Sequence, residues 1–175
     1  MKIIVASDIH GSAYWCEKLL NAYSKENAGK LLLLGDILYH GPRNPLPDGY
    51  SPKSVVEMLG PLKDEIICVR GNCDSEVDQM VLPFNISSDY ATVYFDGLTL
   101  HLSHGHRAEP PMGNGEVYLT GHTHVPLKEK GAFIHLNPGS VSLPKENSRH
   151  GYILIDGKNF YFKDFDGNIY DELKI

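Results

Sequence analysis

Asp8, His10, Asp36, Asn72, His104, His122 and His124 are the residues of this chain best suited to holding metal ions. Each lies where an apolar run breaks off into glycine and polar residues, as in Asp8-Ile9-His10-Gly11, Gly35-Asp36, Gly71-Asn72, His104-Gly105 and Gly121-His122-Thr123-His124. Two carboxylates, one amide oxygen and four imidazoles suit hard-to-borderline divalent ions such as Mn²⁺, Fe²⁺ or Zn²⁺, rather than Ca²⁺ or a thiolate site. Seven donors are too many for one open catalytic ion and fit two ions that share a bridging carboxylate. Two ions roughly 3.5–4 Å apart can clamp the attacking and leaving oxygens of a phosphoryl displacement, and water between them ionises near neutral pH.

Residues so far apart in sequence must be brought together by the elements they terminate. Lys2–Ser7, Leu31–Leu34 and Ile66–Val69 read as short buried strands, the middle one apolar on both faces. Between them, Ser12 can cap a helix whose stripe is Trp15, Cys16, Leu19, Leu20 and Tyr23, with Gly29 as its stop. Ser51-Pro52 opens a second helix through Val55, Val56 and Leu59. This β-α-β-α-β order calls for parallel strands with right-handed crossovers, and in such sheets ligands gather at the carboxyl ends of the strands. Residues 38–52, with four prolines, read as a long loop of the kind that is often functional.

After residue 81 long helical patterns are scarce. Thr92–Phe95, the turn Asp96-Gly97 and Leu98–Ser103 form a hairpin signal. Glu116–Thr120, Ala132–Leu136, Tyr152–Ile155 and Asn159–Lys163 are further short strands. At 175 residues, one domain over 1–175 is expected. A net charge of −6 supplies no basic face for nucleic acid. Three cysteines without a CxxC pair, an N-terminus unlike a signal peptide and no membrane-length apolar run point to a reducing, cytoplasmic setting.

The five motifs, in this order, resemble those of the calcineurin-like metallophosphoesterases over residues 3–143, and most closely the small bacterial YfcE-type phosphodiesterases. The stretches 35–44 and 70–78 are similar to that branch in detail, as is Asn137-Pro138-Gly139-Ser140-Val141-Ser142. The resemblance implies an α/β fold, a four-layer α/β/β/α sandwich with two mixed sheets flanked by helices. It implies Asp8, His10 and His124 on one ion, Asn72, His104 and His122 on the other, and Asp36 bridging. His104 is preferred to His106 as the first histidine of its motif. The cofactor is then two divalent ions, Mn²⁺ foremost, with Zn²⁺, Fe²⁺ or Ni²⁺ as alternatives.

The implied reaction is hydrolysis of a small-molecule phosphodiester by a metal-bridging hydroxide, with Asp36, Asn72, Cys73 and His104 as the catalytic residues. Many relatives carry histidine where this chain has Cys73, a poorer proton donor to a leaving group, which favours diesters over monoesters. A phosphomonoesterase or protein phosphatase on the same site is the second reading. The third is a non-catalytic interaction module, like the retromer subunit of this fold.

Other polar residues have plain readings beside sharper ones. His101, His135 and His150 read as structural, while His40 and His106 stand beside the site. Arg43 and Arg70 could meet phosphate or form solvated ion pairs, and Asp74 is expected to orient a neighbour. Aromatic residues within Tyr152–Tyr170 fit ordinary sheet packing or a homo-oligomeric contact. Loops 38–52 and 105–115, or a neighbouring subunit, must supply selectivity.

Overall fold

Alternation along short strands sets the architecture. The computed structural model describes residues 1–175, and its elements in chain order are β1 (Lys2–Ala6), α1 (Ala13–Glu26), β2 (Ala28–Leu33), α2 (Pro52–Leu59), β3 (Ile66–Cys68) and α3 (Glu76–Val81), followed by strands only. These are β4 (Tyr90–Phe95), β5 (Leu98–Ser103), β6 (Val117–Leu119), β7 (Pro126–Lys130), β8 (Ile134–Pro138), β9 (Gly151–Asp156), β10 (Asn159–Asp164) and β11 (Ile169–Lys174).

Ile4 and Ala6 of β1 and Leu31 and Leu33 of β2 enter one apolar cluster with Cys16, Leu19 and Tyr23 of α1 and Val55 and Leu59 of α2. The intervening Ile3, Val5 and Leu32 enter a second cluster, with Leu100, Leu102, Val117, Leu119 and Leu136 from the facing sheet. A strand apolar on both faces requires a layer on each side, and these two clusters are those layers' interfaces.

One sheet runs β11-β10-β9-β1-β2-β3, the other β4-β5-β6-β8-β7. β1, β2 and β3 are parallel, as are β5, β6 and β8, while antiparallel strands complete each sheet. The result is the expected pair of mixed sheets flanked by helices. The helices precede the second sheet in sequence, and its outward face around Thr92 and Tyr94 is exposed.

Several local expectations shift. Asn27, at φ 52°, caps α1 in place of Gly29, which lies within β2. An asparagine side chain tolerates the left-handed region, so the helix stops two residues earlier. Ser12 caps α1 through the Trp15 N–H, whereas the Ser51 hydroxyl bonds the Ser54 hydroxyl and leaves the α2 backbone uncapped. The strands β7 and β11 and the helix α3 have no counterpart in the sequence pattern. β7 and β11 are edge strands with charged, exposed residues, and α3 buries no side chain. Its start is marked by the Ser75–Asp78 capping box instead.

Asp74 ties the ends of β2 and β3 together. Its carboxylate accepts the backbone N–H groups of Asp36 (2.8 Å), Ile37 (2.8 Å) and Gly71 (2.7 Å). The two segments touch so closely that a Cβ on Gly35, whose φ is 95°, would lie 2.5 Å from the Gly71 nitrogen. Replacing Asp74 by alanine orphans three donors at a buried position. The expected cost is about 3 kcal/mol or more, read as a lower urea midpoint. Asp74→Asn, which keeps one carbonyl oxygen, should lose less, and an alanine variant as stable as the parent would show that the clamp contributes nothing.

Candidate metal centre

Each strand end delivers its side chain to the same place. Asp8 and His10 follow β1, Asp36 follows β2, Asn72 follows β3, His104 follows β5, and His122 and His124 follow β6. Three overlapping groups of donor atoms lie within 4.8 Å of one another: Asp8, His10 and His124; Asp8, Asp36 and His104; and His10, Asp36 and Cys73. Asp8, His10, Asp36, His104 and His124 are buried, while Asn72 is exposed and His122 half-buried.

The imidazoles are aimed by their other nitrogen. His10 Nδ1 donates to the Tyr39 carbonyl (2.8 Å), His104 Nδ1 to that of Leu34 (2.6 Å) and His124 Nδ1 to that of Leu143 (2.6 Å). This fixes the tautomer and leaves each Nε2 lone pair facing inward, as metal-binding histidines require. His124 and His10 Nε2 then stand 3.2 and 3.4 Å from Asp8 Oδ1, and His104 Nε2 stands 3.3 Å from Asp36 Oδ2. Asp8 Oδ1 is buried and has no hydrogen-bond donor. Lone pairs turned onto an orphaned carboxylate oxygen make a pocket that attracts a cation, and the donor set fits a divalent one.

The electrostatics of the cluster favour charged carboxylates beside a protonated imidazole. Burial raises Asp8, but His10 and His124 outweigh it and hold its carboxyl well below the usual carboxylate range. Asp36 is likewise lowered against burial by His104. Burial opposes protonation of His104, yet the bond to Asp36 prevails and pushes it up to about 9. His122 moves the other way, lowered by burial and by the charge of His104. Burial, reinforced by Asp36, pushes the Cys73 thiol up to about 12, so it is neither thiolate nor ready acid at neutral pH.

The open side is a cavity of about 460 Å³ lined by Asp36, Asn72, Cys73, His122 and His124, with Gly41–Asn44 and Lys145 around its mouth. Asn72 Oδ1 lies 3.1 Å from His104 Nε2, whereas the His122 ring is only near, its centre 5.1 Å from that of His104. Arg43 lines this cavity, but Arg70 does not and bonds the Asp74 carbonyl instead. His40 packs edge-on against Tyr39 and Tyr50, and His106 against His104. His101, His135 and His150 bond Glu116, Thr120 and the Val141 carbonyl respectively. Residues 105–115 do not reach the cavity. Lys145 carries no signal in the sequence; it arrives because the turn after Leu143 wraps His124 and bonds its carbonyl.

Residues 1–159 match the calcineurin-like phosphoesterase superfamily domain. Over 161 residues the chain is 45% identical to phosphodiesterase YfcE of Escherichia coli K12, covering 89% of this chain and 88% of that protein. Its structure resembles that of YfcE, a phosphoesterase from E. coli, with a TM-score of 0.96 and 41% identity over the full length of both. Vps29 of Entamoeba histolytica, complexed with Zn²⁺, shares the fold at a TM-score of 0.67 and 20% identity, with 99% of each chain covered. With nearly the whole sequence matched and a relative this similar along its length, the chain belongs to the calcineurin-like phosphoesterase superfamily.

Proposed function

We propose that the chain is a metal-dependent phosphodiesterase acting as one domain over residues 1–175 on small-molecule diesters. The observation that carries this reading is the orphaned Asp8 oxygen, faced by imidazoles whose Nδ1 atoms are already engaged, one of which, His124, also lines the open cavity. Asp8, His10 and His124, which form one of the donor groups, would hold one ion, and Asn72, His104 and His122 would hold the other, with Asp36, grouped with His10 and with His104, serving both. Mn²⁺ is the proposed metal and the cytoplasm the proposed setting. No helix is long and apolar enough to cross a membrane.

When bound, divalent ions supply ionised water at neutral pH and positive charge for phosphoryl oxygens. Hydrolysis adds water across one P–O bond and releases a monoester and an alcohol. The chain orients the donors through three backbone carbonyls and keeps both carboxylates ionised. Arg43 and Lys145 at the mouth meet the anionic substrate. Cys73, whose thiol is a weak hydrogen-bond donor, gives little help to a departing alkoxide. Aryl diesters, whose leaving groups need no proton, are therefore favoured over dialkyl diesters.

Bis(p-nitrophenyl) phosphate should be hydrolysed by metal-stripped protein only after Mn²⁺ is restored, and faster than p-nitrophenyl phosphate. Asp36→Asn should lower kcat/KM at least about 100-fold. Faster turnover of the monoester would favour the phosphatase reading, and a Cys73→His variant should raise turnover of a dialkyl diester more than that of the aryl diester if the thiol limits leaving-group protonation.

Cation uptake must displace the His104 proton, which is retained up to about pH 9 in the metal-free protein. The proton competes less as pH rises, so Mn²⁺ affinity should increase between about pH 6 and 9, by up to about tenfold per unit for one displaced proton. Calorimetry at several pH values checks the slope. Loading one site at about 100 times its Kd should raise Tm by roughly 5–10 °C, and a chelator should reverse it.

A further inference from the structure

A second cavity, of about 640 Å³, adjoins the metal centre and is lined mainly by apolar side chains. Its walls come from the start of the 38–52 loop, from Tyr50, from Val56 of α2, and from Val77 and Val81 of α3. Those two valines are four residues apart on one helix face and are 66% and 52% exposed, with nothing in the chain laid over them.

The groove and the metal centre meet at two residues. Cys73 lines both cavities. Tyr39 lines the groove with its side chain while its carbonyl accepts the His10 Nδ1 proton. The rim carries Lys53, Glu57 and Asp78, of which Lys53 pairs with Glu57 at 4.0 Å and Asp78 caps α3. Two carboxylates against one ammonium leave the rim net negative, which disfavours a second phosphate there. The volume lies in the range of small-molecule sites.

We infer that this groove receives one uncharged apolar arm, aryl or alkyl, of the diester whose phosphorus lies at the metal centre, a specificity that rests on the phosphodiesterase reading. Loop 38–52 then selects substrates from the side of the metals, together with α2 and α3.

Methyl-, butyl- and hexylphosphonate carry a single arm and no leaving group, so their binding to Mn²⁺-loaded protein isolates the groove. Each buried methylene is worth up to about fourfold in Kd. By calorimetry, butylphosphonate should bind at least about tenfold tighter than methylphosphonate. Val77→Asp, at an exposed position that folding tolerates, should reduce that ratio to about threefold or less. A flat series in a protein that does hydrolyse bis(p-nitrophenyl) phosphate would overturn the inference and leave the phosphodiesterase reading intact. So would a Val77→Asp variant with an unchanged ratio but an altered sedimentation coefficient, which would give the groove to a second copy of this chain. Failure of every divalent ion to support diester hydrolysis would remove the reading and this inference with it.

Discussion

Two carboxylates held dry against the lone pairs of three imidazoles are the constraint on which the rest of the molecule depends. Asp8 and Asp36 are buried, and burying an unpaired charge costs several kcal/mol even after relaxation. The histidines that face them cannot turn away, because each Nδ1 is committed to a carbonyl on a different segment, at Leu34, Tyr39 and Leu143. The arrangement is satisfied only by something positive at its middle, a proton or a metal ion. Affinity for cations is therefore built into the backbone that aims the rings, as well as into the rings.

Holding this arrangement strains the chain. Asp8, His10, Asp36, His122 and His124 have φ angles of 59°, 50°, 56°, 68° and 61°, all in the left-handed region that side chains other than glycine's rarely adopt. At about 1–3 kcal/mol each, five such residues approach the net stability of an ordinary domain, although Asp and His sit towards the lower end. The two apolar clusters must offset that cost, which is why the donors follow immediately after paired strands. β1 is hydrogen-bonded to β2 and β9, and β6 to β5 and β8, so the backbone just before four of the five strained residues has little freedom to relax. Asp36 is held in addition by the Asp74 carboxylate on its N–H.

The same logic explains what the sequence reveals. β-branched and leucine runs that end in Gly-Asp, Gly-Asn or Gly-His announce both a buried strand and a candidate ligand, because the glycine is needed where neighbouring strand ends touch, Gly35 against Gly71 and Gly121 against Ser7. Leu31–Leu34 can be read as buried on both faces because it has no polar alternation. Edge strands lack that clarity: Lys128, Glu129 and Lys130 in β7 face solvent, and their pairing with β8 is a property of the partner. α3 escapes notice for a related reason, since Val77, Met80 and Val81 are exposed and form no core stripe. Lys145 and the left-handed angles are illegible altogether, since both follow from how distant turns wrap the histidines.

Cys73 stands where these threads meet. Its backbone N–H bonds Asp36 Oδ1 at 2.8 Å, so the residue helps orient the proposed bridging carboxylate, and it lines both the polar and the apolar cavity. A histidine here could protonate a leaving group, but its ring is larger and more strongly hydrated. It would narrow the passage and place a polar group against the arm that the apolar groove would accept. A thiol gives up the proton donation of an imidazolium and keeps a small, weakly polar side chain there. On the reading proposed here, the preference for aryl diesters and the access to an apolar groove follow from the same side chain: the leaving group must depart without help because the space beside it is kept for an apolar substituent.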